Sequence, residues 1–438
     1  MSDTHAQTVS FVRDTMLPQA APPAGQAGAV RWLRENLFSG WLNTVLTVLG
    51  LIALFYILRG LVPWFVHGVW TADNLSQCRQ IIAERWGPDA TGACFAMIRE
   101  RWTQFLFGFY PSDLYWRPVL ALALMFVALA PILFPGVPRR LAIFTALYPF
   151  VGFWLLWGGS IWLPIVAATG FVVGYGVWRI LNARSGLLSL IAGVVAAFAW
   201  WLFAAEPVND ALTSALPIGL DVVRSDRFGG FVLSLTIGVA AIAMSLPMGI
   251  ALALGRRSDM FLIKTMSVCF IEFIRGVPLI TLLFTASLLL NYFLPPGTNF
   301  DIILRVIIMV TLFAAAYIAE VIRGGLAALP RGQYEAADAL GLSYFQAQRL
   351  IVLPQALKIS IPGIVSTFIG LFKDTTLVIF VGLLDPLKGI TDAVRASTDW
   401  KGIYWEPYIF VGAIFFIFCF GMSRYSMYLE RRLKRDHR

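Results

Sequence analysis

Again and again this chain stays apolar for long enough to cross about 30 Å of hydrocarbon, and that settles its fold class before any motif is read. The runs lie near residues 41–62, 118–135, 141–157, 160–178, 186–205, 228–253, 262–292, 302–322, 355–383 and 407–429. Inside a bilayer the backbone must satisfy its own hydrogen bonds, and a run of about 20 residues does so as a helix. The expectation is an all-α polytopic membrane protein with about ten transmembrane helices. Composition agrees, since 58% of the 438 residues are hydrophobic and 13% charged, whereas about a quarter are charged in soluble domains. The net charge of +9 then reads as Lys and Arg gathered in cytoplasmic loops, not as a nucleic-acid surface.

The distribution of Lys and Arg orients the spans. The C-terminal "RYSMYLERRLKRDHR" is strongly basic and is expected inside. Alternation then places "LGRRSDMFLIK", "WRILNARSG", "GVPRRL" and the N-terminal tail with Arg31 and Arg34 inside as well. The loop "LPPGTNF" and residues 63–117 fall outside. Residues 1–40, with "PQAAPPAGQAGA" and no apolar core before a cleavage site, read as a flexible cytoplasmic tail. The remaining divisions are a transmembrane extension at 41–206, a core at 207–430 and a basic cytoplasmic tail at 431–438. Cys78 and Cys94 both fall in the outer segment, where oxidising conditions permit a disulfide, although two unrelated cysteines fit equally well. Cys269 and Cys419 lie in spans and read as packing residues. His5, His67 and His437 are far apart, no cluster has metal-ligand spacing, and no "GxxxxGK[ST]" is present. The chain is therefore expected to hold no metal or cofactor and not to hydrolyse ATP by itself.

One stretch interrupts the apolar pattern. "QYEAADALGLSYFQAQRLIVLP", residues 333–354, lies in the loop 323–354, which is cytoplasmic by the count above. Ala336, Ala337 and Ala339 favour a helix from Glu335 to Leu340. Gly341 ends it, and Ser343 with Gln346 three residues later has the capping-box pattern that starts another. Pro354 is expected to end or kink this second helix. Leu342, Tyr344 and Phe345 gather apolar surface at the turn, which suits insertion into a partner's groove. A surface helix pair with no partner is the plain alternative.

These residues resemble the "EAA" signature of bacterial ABC-importer permeases: Glu-Ala-Ala, three residues, Gly, nine residues, Ile, one residue, Leu-Pro. Glu335, Ala336, Ala337, Gly341, Ile351, Leu353 and Pro354 supply it in register. The flanking "IEFIRGVPLI", "AYIAEVIRGGLAALPRGQ" and "FKDTTLVIFVGLLD" are similar to the polar amino-acid permeases, the histidine, glutamine, arginine or general amino-acid group. Where many relatives read Arg-Gly-Thr-Pro, this chain reads Arg275-Gly276-Val277-Pro278. The resemblance implies a five-helix permease core over 228–429, with an extended N-terminal half like that of larger general or acidic amino-acid permeases. It implies two ATP-binding subunits, a second and different permease chain, a periplasmic substrate-binding protein and an amino-acid substrate, with ATP and Mg bound by the partners. It also implies that Glu335, Ala336, Ala337, Gly341, Leu342, Ser343, Tyr344 and Phe345 couple to an ATPase subunit. The membrane would be the bacterial inner membrane, with both termini cytoplasmic.

Charges inside a bilayer mark a functional path or a satisfied pair. Glu272 and Arg275 are three apart, as are Glu320 and Arg323, so each pair shares a helix face. Glu320 and Arg323, near the inner end of their span, read as a structural pair. Glu272, Arg275, Lys373, Asp374, Thr375 and Thr376 offer both charges and hydroxyls, which suit an amino acid, and are candidates to line the translocation path. Pro247 and Pro278 would break backbone hydrogen bonds, which a bilayer tolerates only where protein or water surrounds them, with simple kinking as the alternative. A gradient-driven secondary transporter is the competing class, but it predicts matching broken helices in two halves, and the first and last five spans share no such pattern. A membrane enzyme would need a nucleophile–base or metal constellation, and none of the spans carries one.

Overall fold

The computed structural model of the protein describes residues 28–182, 186–293 and 301–435. Residues 1–27, 183–185, 294–300 (the loop expected to lie outside) and 436–438 lie outside the described residues. Contacts divide the chain into two compact units, one of residues up to Val69 with Arg79–Ala93, the other of Trp70–Cys78 with Cys94 onward.

The first unit holds α1 (Gly28–Asn36) and α2 (Trp41–Val66). Its other segment, Arg79–Ala93, includes most of α3 (Leu75–Trp86). α2 is long and apolar enough to span a membrane. At its end, Ala93 donates its N–H to Trp64 O (2.9 Å), Val69 donates to Ala93 O (2.9 Å), and His67 stacks on Trp86.

The second unit continues through α4 (Ala96–Phe107), α5 (Trp116–Leu133), α6 (Leu141–Trp157), α7 (Trp162–Leu181), α8 (Gly186–Ala199) and α9 (Ala205–Ala215). The core helices follow: α10 (Gly230–Arg256), α11 (Phe261–Gly276), α12 (Leu279–Phe293), α13 (Ile302–Ala327), α14 (Gly332–Ala339), α15 (Tyr344–Ala347), α16 (Leu353–Asp374), α17 (Pro386–Ala396) and α18 (Trp405–Arg435). The break expected near Gly158–Ser160 is a turn through two positive-φ glycines, after which Gly159–Ser160 pairs antiparallel with Gly219–Leu220.

Eight helical runs among the described residues are long and apolar enough to span a membrane, and the bent pair α11–α12 makes a ninth if it is one span. α6 is apolar but only 17 residues long. The span expected near 262–292, with a break or kink at Pro278, bends by 100° between α11 and α12. Pro278 lacks an N–H and pushes the residue before it out of the helical region, and Val277 accordingly sits at φ −108°, ψ 132°.

α13 runs through the middle of the core, with α10 and α16 packed along it. A Cβ on Gly249 of α10 would lie 2.6 Å from Ile318 Cγ2 of α13, so only glycine allows this approach. One apolar cluster joins Phe107, Tyr110, Leu155 and Leu156 of the extension to Phe228, Leu233, Ile237, Leu283 and Ile303 of the core. Trp157 Nε1 donates to Ser225 Oγ (2.7 Å), and Ser225 in turn bonds the carboxylate of Asp301, the N-cap of α13. Within the second unit, the extension helices from α4 onward are thus built into the core through packing and polar ties alike.

Candidate functional site

Ala336 to Ala339 fall within α14 as their helix propensity predicts, and the turn that follows is a complete Schellman motif. Leu342 N donates to Ala337 O (3.2 Å) and Gly341 N to Asp338 O (2.9 Å). Gly341 has φ +69°, and a Cβ there would meet no atom within 4 Å. Glycine is therefore required by backbone conformation, not by crowding. Ser343 and Gln346 form the expected capping box on α15.

The second helix, expected to end or kink at Pro354, does not end there. α15 leads through a π-helical segment, Gln348–Val352, directly into α16, so the second helix and the span form one helical run from Tyr344 to Val381. Pro354 occupies the first turn of α16, and the π-segment before it absorbs the lost hydrogen bond.

Ala337 and Ala347 face inward, while Glu335, Ala336, Tyr344 and Phe345 are exposed and Leu342 is half-buried. Leu340, which sequence reasoning did not single out, is 73% exposed, beside Tyr344 at 64% and Phe345 at 69%. The outcome is a protruding apolar knob on a rigid, doubly capped turn.

Behind the knob lies a charge network that the sequence showed only in fragments. Arg323 Nε donates to Glu320 Oε2 at 2.9 Å, the expected i,i+3 contact. Glu272 and Arg275 do not pair with each other as their spacing suggested. Glu272 Oε1 accepts from Arg256 Nη1 (2.8 Å), and Arg275 Nη1 lies 3.6 Å from Glu320 Oε2 with its guanidinium over the Tyr317 ring. Arg256 is also 2.8 Å from Glu320 Oε1. Three arginines from α10, α11 and α13 thus surround two glutamates, leaving one net positive charge. Arg256 was missed because "LGRRSDMFLIK" is read as a topological signal, although Arg256 closes α10 and reaches across to α11 and α13.

Lys373, Asp374, Thr375 and Thr376 occupy the end of α16, where the helix tightens into a 3-10 segment, Thr375–Val381. Lys373 is exposed and Asp374 and Thr376 are half-buried. Thr375 is fully buried, donates to Phe372 O (2.7 Å) and packs where a Cβ on Gly238 would meet it, so it fills space instead of facing a cavity. Thr376 Oγ1 donates to Lys373 O at 2.9 Å. No ion pair among the described residues joins this group to the α10–α11–α13 network.

Cys78 and Cys94 are joined by a disulfide with Cα atoms 6.1 Å apart. Cys94 N donates to Glu406 Oε1 (2.9 Å) and Trp400 Nε1 to Glu100 Oε2 (2.7 Å), tying this segment to α18 and the loop before it. Cys269 is exposed and Cys419 half-buried, neither of them bonded.

A profile of the family "binding-protein-dependent transport system inner membrane component" matches residues 245–435, which contain both the knob and the network. The glutamate/glutamine/aspartate/asparagine transport system permease protein BztC of Rhodobacter capsulatus is 66% identical over 439 residues, covering all of both chains. The chain belongs to this family. The permease is thus a multi-pass inner-membrane transport component and not an enzyme. It is also similar to the inner membrane amino-acid ABC transporter permease protein YhdY of Escherichia coli K12, at 39% identity over 92% of this chain and 93% of that protein. The probable glutamine ABC transporter permease protein GlnM of Bacillus subtilis is 33% identical, matching 48% of this chain and 93% of its own length. About half of the permease thus accounts for nearly the whole of that shorter relative.

Proposed function

We propose that the permease imports amino acids of the glutamate, glutamine, aspartate and asparagine class, driven by cytoplasmic ATPase subunits that seat on the turn around Gly341. It is the transmembrane subunit of an ATP-driven amino-acid importer, and ATP hydrolysis lies in partner chains. The observation that carries the substrate class is the 66% identity, over the whole of both chains, to a permease named for those four amino acids. In this reading two ATP-binding subunits supply ATP and Mg, a second and different permease chain completes the path, and a periplasmic binding protein delivers substrate. Both termini are cytoplasmic, while 63–117 and 294–300 face the periplasm.

The exposed knob of Leu340, Tyr344 and Phe345 supports ATPase docking, because apolar side chains on a rigid turn behave as interface anchors. Glu335 and Ala336 lie exposed on the same pair, and Ala337, Gly341, Leu342 and Ser343 hold its shape. The net positive network supports a path for anionic or zwitterionic solutes, with Arg275 the best-placed group to meet a substrate carboxylate. Its contact to Glu320 is the longest in the network, and one third of its side chain is exposed. Glu272, Lys373, Asp374 and Thr376 are the other candidate path residues, and Thr375 supports them by packing.

The test is uptake of labelled glutamate into proteoliposomes holding the permease with its co-purified partners. Uptake is expected only with enclosed or applied ATP on the ATPase side, and excess glutamine, aspartate or asparagine should suppress it while lysine does not. Uptake that ignores ATP and collapses when an ion gradient is dissipated would contradict the proposal.

A further inference from the structure

The network and the knob are linked by two adjacent arginines. Arg256 and Arg257 end α10 and point to different partners. Arg256 holds Glu272 of α11 and Glu320 of α13, as described above. Arg257 reaches the other way: its Nη1 donates to Tyr334 Oη at 2.7 Å, and its guanidinium sits 5.2 Å from the centre of the same ring. It also approaches Leu326 O at 3.4 Å. Tyr334 belongs to α14 and packs on the apolar cluster formed by Ile271, Ile318, Ile322, Val352 and Ala356.

We propose that Arg256 and Arg257 are positioning residues that transmit movement of α14 to the acid pair Glu272 and Glu320. The inference rests on the reading of α14 and α15 as the ATPase-contacting element. Planar guanidinium groups hold direction as well as charge, so a shift of Tyr334 turns the Arg257 backbone and with it Arg256. Arg256 bridges α11 and α13 at its two contacts of 2.8 Å, alongside the longer Arg275–Glu320 contact. A displacement of α14 therefore redistributes the two glutamates among Arg256, Arg275 and Arg323. Gln355 Nε2 donates to Gln333 Oε1 (2.8 Å), which ties α14 to α16 by a separate contact and keeps the pair assembled when the arginine link is cut.

The experiment uses the complete importer in proteoliposomes and measures glutamate taken up, ATP hydrolysed and ATPase subunit retained. Tyr334→Phe removes one hydroxyl and leaves the ring, Arg256→Gln removes the other end of the link, and the double variant combines them. With ATPase retention unchanged, Tyr334→Phe is expected to raise the ATP hydrolysed per glutamate imported by about fivefold, within the range seen for residues that couple distant sites. The double variant is expected to be no worse than the more damaged single, because groups acting in one chain are not additive. A wild-type ATP-to-glutamate ratio in Tyr334→Phe, uptake and hydrolysis falling in parallel, or a double variant whose loss is the product of the singles would overturn the proposal. Failure of the wild-type complex to import glutamate with ATP would instead refute the functional reading beneath it.

Discussion

Asp385 is fully buried at the start of α17, where its carboxylate accepts from Leu387 N (2.9 Å) and Lys388 N (3.1 Å). Burial, with some repulsion from Asp392, pushes its carboxyl up to about 6, and the two backbone donors and the Lys388 charge only partly offset this. A folded value above the ordinary carboxylate range means the folded state holds the extra proton, so stability should fall as pH rises from about 4 to 6 and level off above. The full span of that loss is about 3 kcal/mol at most. Asp385→Asn keeps a capping side chain but not the proton, so its thermal midpoint should lack this acid-side slope. An unchanged slope would assign the pH dependence elsewhere. At this scale the sequence was most readable where one residue type has one use: Gly341 and Ser343 stand where their chemistry predicted. Arg256 and Arg257 were not readable as partners of particular side chains, because a basic pair at a helix end serves topology equally well.

Among elements, the turn between α14 and α15 is fixed by local signals, and those survive without knowledge of the rest of the fold. The continuation of α15 into α16 was hidden, since Pro354 is a breaker in sequence but is accommodated by the π-segment in space. The break at Pro278 was legible from the proline, but its 100° size was not, because apolar residues continue across it and hydropathy carries no direction. The exposed knob makes its own prediction. Phe345→Ala removes a 69% exposed ring without touching the capping box or the Schellman turn. It should weaken ATPase subunit binding by about 2 kcal/mol, the usual threshold for an interface anchor, while membrane insertion and thermal stability of the isolated permease stay unchanged. Titration of the detergent-solubilised permease with the ATPase subunit measures this, and equal affinity would remove Phe345 from the interface.

For the molecule as a whole, spans and composition made the membrane class legible, and the "EAA" spacing made the family legible. The role of the N-terminal half was not, because its contacts are long-range. Tyr110, Leu155 and Leu156 enter the same apolar cluster as Leu233 and Ile303, and Trp157 reaches the N-cap of α13 through Ser225. Nothing in the spacing of these residues announces which helix they will meet. The central claim is that this chain works as a permease whose α14–α15 turn engages an ATPase. The most direct measurement is to purify it from its native membranes in mild detergent, beside Gly341→Trp, and identify the stoichiometric partners. Gly341→Trp meets open space but must adopt φ +69°, so it strains the turn and leaves the spans intact. Recovery of an ATPase subunit with the wild type, and its loss or an uncoupled turnover with Gly341→Trp, is the expected result. Recovery of the chain without any ATPase, together with gradient-driven uptake, would contradict it.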